Sequence, residues 1–255
     1  MVEYVEVYKS FDLPVLSGVN LRVAPGETMA IVGHSGTGKS VLLKTTIGLI
    51  TPDFGDVRIA GESVFRSERR TLERLRRKAG YVFQNAALFD SMTVFENVSQ
   101  GIPEEQLKEM RFREALKRVA EALEHVNLEP RAVLSKLPAE LSGGMRKRVG
   151  LARAIVGKPE ILLYDEPVTG LDPVNAAIVH QMIERLGEEL GVTSLLVTHD
   201  IEGALPISDH VAMLDAGKIR FVGTPEEFRA SDDILVRAFL ERDAMTGSSK
   251  TLEMV

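Results

Sequence analysis

The stretch "GHSGTGKS", Gly33 to Ser40, limits what this chain can fold into more than any other. It matches G-x-x-x-x-G-K-[ST] in full. The apolar run "TMAIVG" precedes it, and the helical-period run "KSVLLKTTIGL" follows. Gly33, Gly36 and Gly38 let the backbone curl so that successive N–H groups converge on one anion. The helix behind the loop adds partial positive charge at its N-terminus. A strand, loop and helix in this order cradle phosphate. Lys39 is placed to reach β- and γ-phosphates, and the Ser40 hydroxyl to ligate Mg²⁺. His34, Ser35, Thr37 and Val41 complete the expected nucleotide contact.

The rest of the pattern extends this βα unit. "VEYVEVYKSF" and "LSGVNLRVAPGETMAIVG" alternate apolar and polar residues as strands do. "EILLYDEP" and "VTSLLVTHD" are apolar without alternation, which suits a parallel sheet covered on both faces. "SERRTLERLRRKAG" reads as a basic helix and "YVF" as a short buried strand. The stretch from about 103 to 127 predicts one long helix, with Leu107, Met110, Leu116, Val119, Leu123 and Val126 along one face. A further helix is predicted over about 173–190. The mostly helical segment at roughly 88–157 interrupts the βα pattern and predicts an inserted subdomain.

Three more chemical features stand at strand ends and a fourth at a helix start. Asp165 and Glu166 end the apolar strand "ILLYDEP", at the edge where parallel sheets bind ligands. Two adjacent acids there are costly without a cation. Asp165 is placed to hold Mg²⁺ and Glu166 to polarise water. Their alternative is a solvated strand terminus. His199 ends "LLVTHD" and Gln84 ends "YVFQ"; alone, each is weak, and such a histidine is more often structural. "LSGGM" at 141–145 sets Ser142, Gly143 and Gly144 at a helix start. That is either a second anion site or a serine N-cap with a glycine turn.

Composition closes off several chemistries. The 255 residues contain no cysteine, which excludes disulfides, thiol catalysis and Cys-ligated zinc. The net charge of −6 gives no general attraction to nucleic acid. The basic run "RSERRTLERLRRK" is weighed as a solvated helix face against a membrane or nucleic-acid patch. The N-terminus "MVEYVEVYKS" has no apolar core, so no secretory signal is expected. No apolar run approaches the roughly 18 residues of a membrane span, so a membrane role is expected to come through a partner.

Taken in order, these residues resemble the nucleotide-binding subunits of ABC transporters over roughly residues 2–225. The six matching motifs are "GHSGTGKS", Gln84 (Q-loop), "LSGGM" (signature), "ILLYDE" (Walker B), "TGLD" ending at Asp172 (D-loop) and His199 (H-loop). The resemblance implies an α/β P-loop NTPase. Its parallel-sheet core is RecA-like, with an N-terminal antiparallel β subdomain and the helical subdomain inserted at about 88–157. Beyond the resemblance, residues 226–255 are helix-prone and then polar, and a C-terminal helical extension and tail is expected there. The resemblance also implies ATP and Mg²⁺ as cofactors and a head-to-tail homodimer. In that dimer Ser142, Gly143 and Gly144 touch the γ-phosphate held by the partner chain. Asp172 joins the nucleotide contacts and Phe11 stacks on adenine. Glu166 is the general base, His199 and Gln84 assist catalysis, and Ser40, Gln84 and Asp165 surround the metal. Met145 stands where the family usually carries Gln; the phosphate-facing "SGG" is kept.

Subtype is read from three local stretches. "NAALFDSMTVFENV" after Gln84 and "LSGGMRKRVGLARAI" resemble the ATPases of Mla/MCE-type phospholipid transporters, as does "SDDILVRAFLERDA" near the C-terminus. This implies an integral permease docked through Phe89, Met92 and Phe95, an MCE substrate-binding protein and a small regulatory subunit. Residence on the cytoplasmic face of the inner membrane is implied too. For Phe89, Met92 and Phe95 the alternative is helix core. Other readings are an importer subunit for a small polar solute, a soluble ABC ATPase acting on nucleic acid, and a silent regulator. The Asp165–Glu166 pair speaks against the last.

Overall fold

Alternation of apolar and polar residues builds the first sheet. β1 (Val2–Ser10) buries Val2, Tyr4 and Val7, and β2 (Pro14–Val23) buries Leu16, Val19, Leu21 and Val23. The structure, a computed structural model, describes residues 2–241. They fall into two units. One holds the described parts of Met1–Ser67 and Leu195–Val255, the other Glu68–Ser194. The chain is α/β, with one antiparallel sheet and one mixed, largely parallel sheet.

In the first unit β3 (Thr28–Val32) has all five residues buried, as expected of a strand covered on both faces. It leads into α1 (Lys39–Thr46), then β4 (Phe54–Ile59) and β5 (Glu62–Ser63). The antiparallel sheet runs β2-β1-β4-β5. Tyr4 fastens it to α1, its hydroxyl bonded to Thr46 Oγ1 at 2.5 Å.

The second unit carries α2 (Arg69–Arg77), β6 (Ala79–Val82), α3 (Val94–Ser99), α4 (Glu104–Glu109), α5 (Phe112–His125) and α6 (Pro130–Val133). Then come α7 (Gly143–Ile155), β7 (Ile161–Asp165), α8 (Pro173–Leu190) and the start of β8 (Thr193–Val197). β6 and β7 pair in parallel, with Tyr81 opposite Leu163 and Val82 opposite Tyr164. Residues 83–160 carry helices and turns but no strand, and all of them fall in this unit. α2 buries only Leu75, and its arginines form a solvated face.

The single helix expected over 103–127 is instead two. Met110 is extended at φ −82, ψ 135, and Arg111 at φ −69, ψ 147. The Arg111 N–H donates to Glu114 Oε2 at 3.1 Å, so a glutamate three residues on closes the start of α5. Periodicity ran on across the break, but α4 buries nothing whereas α5 buries Ala115, Val119, Ala122 and Leu123.

The first unit resumes at Leu195, inside β8. It continues through α9 (Ile201–Ala204), β9 (His210–Asp215), β10 (Lys218–Gly223) and α10 (Pro225–Arg229). β9 pairs in parallel with β3 and antiparallel with β10. Residues 234–241 are the last described helical segment, which buries Val236 and Phe239. The remainder of the expected C-terminal tail lies outside the described residues.

Candidate functional site

In the first unit the phosphate loop joins β3 to α1. A Cβ on Gly33 would stand 2.2 Å from the Leu214 carbonyl oxygen, so β9 packs too closely for any side chain there. Gly38 holds φ +100 and lies 2.9 Å, by the same measure, from the Val15 carbonyl oxygen. Lys39 is buried and its Nζ donates to the carbonyls of Gly33 at 2.8 Å and His34 at 3.0 Å. That bond set closes the loop into a ring around the ammonium. Thr37 donates from both its N–H and its hydroxyl to the His34 carbonyl, while Ser35 and Gly36 face solvent. Ser40 and Val41 stand in the first turn of α1, part-exposed. His34 lies edge-on against Phe239.

Two other expected residues belong to this unit. Phe11 is 60% exposed, with the Lys9 ammonium 5.4 Å above its ring centroid. A flat aromatic face open to solvent is what base stacking requires. His199 is exposed just beyond β8. The segment around it is pinned by Thr198 N–H donating to the Ile31 carbonyl and by Asp200 capping α9 through Gly203 N–H.

In the second unit Asp165 and Glu166 are both buried at the end of β7. Tyr81 donates its hydroxyl to Asp165 Oδ2 at 2.9 Å. Glu166 sits at φ +50, a left-handed conformation that turns its side chain out of line with the strand. Thr169 donates its hydroxyl to Glu166 Oε2 at 3.2 Å. Holding a non-glycine residue there costs of order 1–3 kcal/mol, a strain typical of functional positions.

Gln84 is exposed in the turn after β6, and its backbone carbonyl accepts from Lys147 Nζ on α7. Burial holds the Lys147 amine below the ordinary ammonium range, while the Glu166 carboxylate pulls it the other way. Ser142 is the N-cap of α7, its hydroxyl accepting from Met145 N–H at 3.2 Å. The helix it starts has no acid in its first turn, and Ser142 and Gly143 are exposed. The capped-helix reading is therefore realised locally, and the cap still presents an open helix N-terminus to solvent. Asp172 caps α8, accepting from Asn175 N–H at 3.0 Å and Nδ2 at 2.6 Å. Those bonds, the side-chain one foremost, hold its carboxyl below the usual range. Asn175 Oδ1 in turn lies 3.0 Å from where a Cβ on Gly144 would be.

The structure thus brings together Asp165, Glu166, Gln84 and the α7 start in one unit, and places residues 33–41, Phe11 and His199 in the other. Tyr81, Lys147 and Thr169 were not legible as site residues. Tyr81 reaches Asp165 because of the β6–β7 register, and no sequence spacing signals that. Phe89, Met92 and Phe95 are exposed or half-buried and so are not helix core. The same unit carries an open groove of about 570 Å³ lined by Arg76, Arg77, Tyr81, Ile102, Leu107 and Arg153.

A strand, a glycine-rich loop and a helix that ring a buried lysine with the loop's own carbonyls define a P-loop nucleotide-binding protein. The ABC transporter family model matches residues 16–169. The chain is 37% identical over 238 residues to the intermembrane phospholipid transport system ATP-binding protein MlaF of Haemophilus influenzae, covering 93% of this chain and 88% of that protein. It is 40% identical over 224 residues to the methionine import ATP-binding protein MetN 2 of Pseudomonas syringae pv. tomato, covering 86% of this chain and 66% of that one. Among solved structures, the dimeric ATP-binding cassette MJ0796 bound to ADP and phosphate matches with a TM-score of 0.79 at 32% identity, covering 88% of this chain and 99% of that one. The chain belongs to the ABC transporter family and is an ATP-binding, ATP-hydrolysing subunit.

Proposed function

We propose that this chain powers phospholipid transport between bacterial membranes, as the ATPase of a complex with a separate permease. The similarity to the MlaF protein over 93% of the chain carries the substrate class. Among the described residues no helix is long and apolar enough to cross a membrane; in this reading coupling to the bilayer runs through a membrane subunit. The open groove of this unit is the surface we assign to it, together with the exposed or half-buried Phe89, Met92 and Phe95. An MCE protein, a small regulatory subunit and residence on the cytoplasmic face of the inner membrane follow from the same reading; nucleic acid has no place in it.

ATP is held by residues 33–41, with Phe11 against adenine and Lys39 on the β- and γ-phosphates. The partner copy's Ser142, Gly143 and Gly144 close over the γ-phosphate, and Asp172 lies at the same interface. Glu166 takes the proton of the attacking water, His199 steadies the γ-phosphate, and Gln84 orients the water. The Ser40 hydroxyl, the Gln84 amide and the Asp165 carboxylate are hard oxygen donors, the kind Mg²⁺ takes, and these are the residues that would hold it. Among the described residues no three His, Cys, Asp or Glu side chains cluster, as suits an ion that takes most of its ligands from phosphates and water. When bound, it neutralises charge on the phosphates.

Gentle detergent purification followed by mass spectrometry of bound proteins and lipids tests the substrate class. A permease with an MCE protein and phospholipid supports the reading, and a solute-binding protein with an importer permease overturns it. The 40% identity to a methionine import ATPase favours that second outcome as the competing reading.

A further inference from the structure

The turn after β6 is held in an unusual way. Ala86 and Ala87 are consecutive residues at φ +59 and +47. Alanine has no polar side chain to stabilise the left-handed region, and its Cβ disfavours it. The turn's own bond, Ala86 N–H to the Phe83 carbonyl at 2.9 Å, is the ordinary closure of a tight turn. The remaining support comes from α7. Arg153 donates from Nη2 to the Ala86 carbonyl at 2.6 Å and from Nη1 to the Ala87 carbonyl at 2.7 Å. Lys147 donates to the Gln84 carbonyl. Between them Gly150 lies flat against the turn, where a Cβ would stand 3.1 Å from the Ala86 Cβ. Residues 147, 150 and 153 are spaced by three and so share one side of the helix. Both arms of the Arg153 fork are thus spent on carbonyls in a partly dry site, where burial lowers the guanidinium's affinity for its proton.

α7 is also the helix that Ser142 begins. We propose that Lys147, Gly150 and Arg153 form a clamp that locks the Gln84–Ala87 turn to α7, so that Gln84 and the Ser142 end of the helix move as one body. Lys147 and Arg153 are positioning residues for hydrolysis: they act through Gln84 and through the strained turn, without touching ATP. A planar fork is required at 153, because one guanidinium bonds two successive carbonyls while an ammonium offers a single point of charge.

The test uses the full chain. Arg153→Met lowers turnover at saturating ATP between about tenfold and a hundredfold, the scale expected when a catalytic group is misplaced. ATP dissociation constants stay within about twofold, because uniform binding is untouched. Amide exchange over residues 84–88 accelerates while exchange in β7 does not. Arg153→Lys restores less than half of the lost turnover. Adding Ala87→Gly to Arg153→Met recovers turnover, since glycine takes positive φ without the Cβ penalty. A role confined to stability would not be relieved by a glycine in the turn. Unchanged turnover and exchange in Arg153→Met overturn the proposal, as does a loss that tracks melting temperature with no recovery on adding Ala87→Gly. Should Arg153→Met fail to fold, Lys147→Met, at a half-buried position, carries the same expectation for exchange at residues 84–85, and wild-type exchange there refutes the clamp.

Discussion

His34 of the phosphate loop stands edge-on against Phe239, with ring centroids 5.0 Å apart and planes at 88°. Phe239 is 5% exposed, and with Val236 it forms the buried face of the last described helix. The second residue of the phosphate loop is therefore braced by a residue about two hundred positions later in the chain. Edge-to-face pairs contribute about 0.5–1.5 kcal/mol beyond their buried area. Phe239→Leu keeps an apolar side chain and loses the ring edge. The expected outcome is a stability loss of about that size in urea unfolding, with a weaker ATP affinity in equilibrium titration. Equal ATP affinity would show that the brace serves the fold alone.

Glu166→Gln keeps the size and hydrogen-bonding reach of the side chain and removes its basicity. Turnover is expected to fall by about 10²–10⁴ with ATP binding retained. Single-turnover hydrolysis measured beside ATP titration separates the two. Turnover equal to wild type removes Glu166 from the role of base.

Gly101 lies so close to α7 that a Cβ would stand 1.9 Å from the Arg153 carbonyl oxygen. The obstacle is backbone, which cannot swing aside as a side chain does. Gly101→Ala is expected to cost about 1–3 kcal/mol or more. Gly61→Ala, in open space at φ +82, isolates the conformational part of such a change, because only φ is strained there. Denaturant midpoints of the two variants compare steric with conformational cost.

The Asp172 cap carries a pH signature. Its carboxyl is held low by the Asn175 side chain first and the Asn175 N–H second. The ionised form is therefore favoured more in the folded than in the unfolded chain. That contribution is complete above the ordinary aspartate pKa and is lost as pH falls through the lowered folded value. Asp172→Asn keeps a capping oxygen without a titrating charge. The melting temperature of wild type minus that of the variant should shrink on acidification through this window. A difference that stays constant with pH would refute the charge-based account of the cap.

Leu107→Asp places a carboxylate in the groove on α4, remote in sequence from the phosphate loop and the Asp165–Glu166 pair. Co-purification of the permease should be lost while the isolated chain binds ATP as before. Retained permease would move the docking surface elsewhere.

Much of this protein was legible from local sequence. The phosphate loop was fixed by spacing, because a glycine pattern with lysine and serine must sit between a strand and a helix for its N–H groups to converge. The buried acids at the end of β7 were fixed by an apolar run that ends in charge. The break between α4 and α5 was not legible. Helical periodicity continued across Met110 and Arg111, and what divides them is that only α5 has a face to bury.

What the sequence by itself determined is the order of motifs and hence the class of chemistry, since each motif is a short segment whose conformation its own residues dictate. Only tertiary structure decided the partners of those motifs: Tyr81 on Asp165, Asn175 against Gly144, Phe239 against His34, and Arg153 on the carbonyls of Ala86 and Ala87. Each contact joins residues that no spacing rule relates. Each forms because strand register, helix packing and close glycine approach bring distant segments into contact; for Tyr81 and Arg153 the approach is about 3 Å, the distance at which a hydrogen bond has its strength.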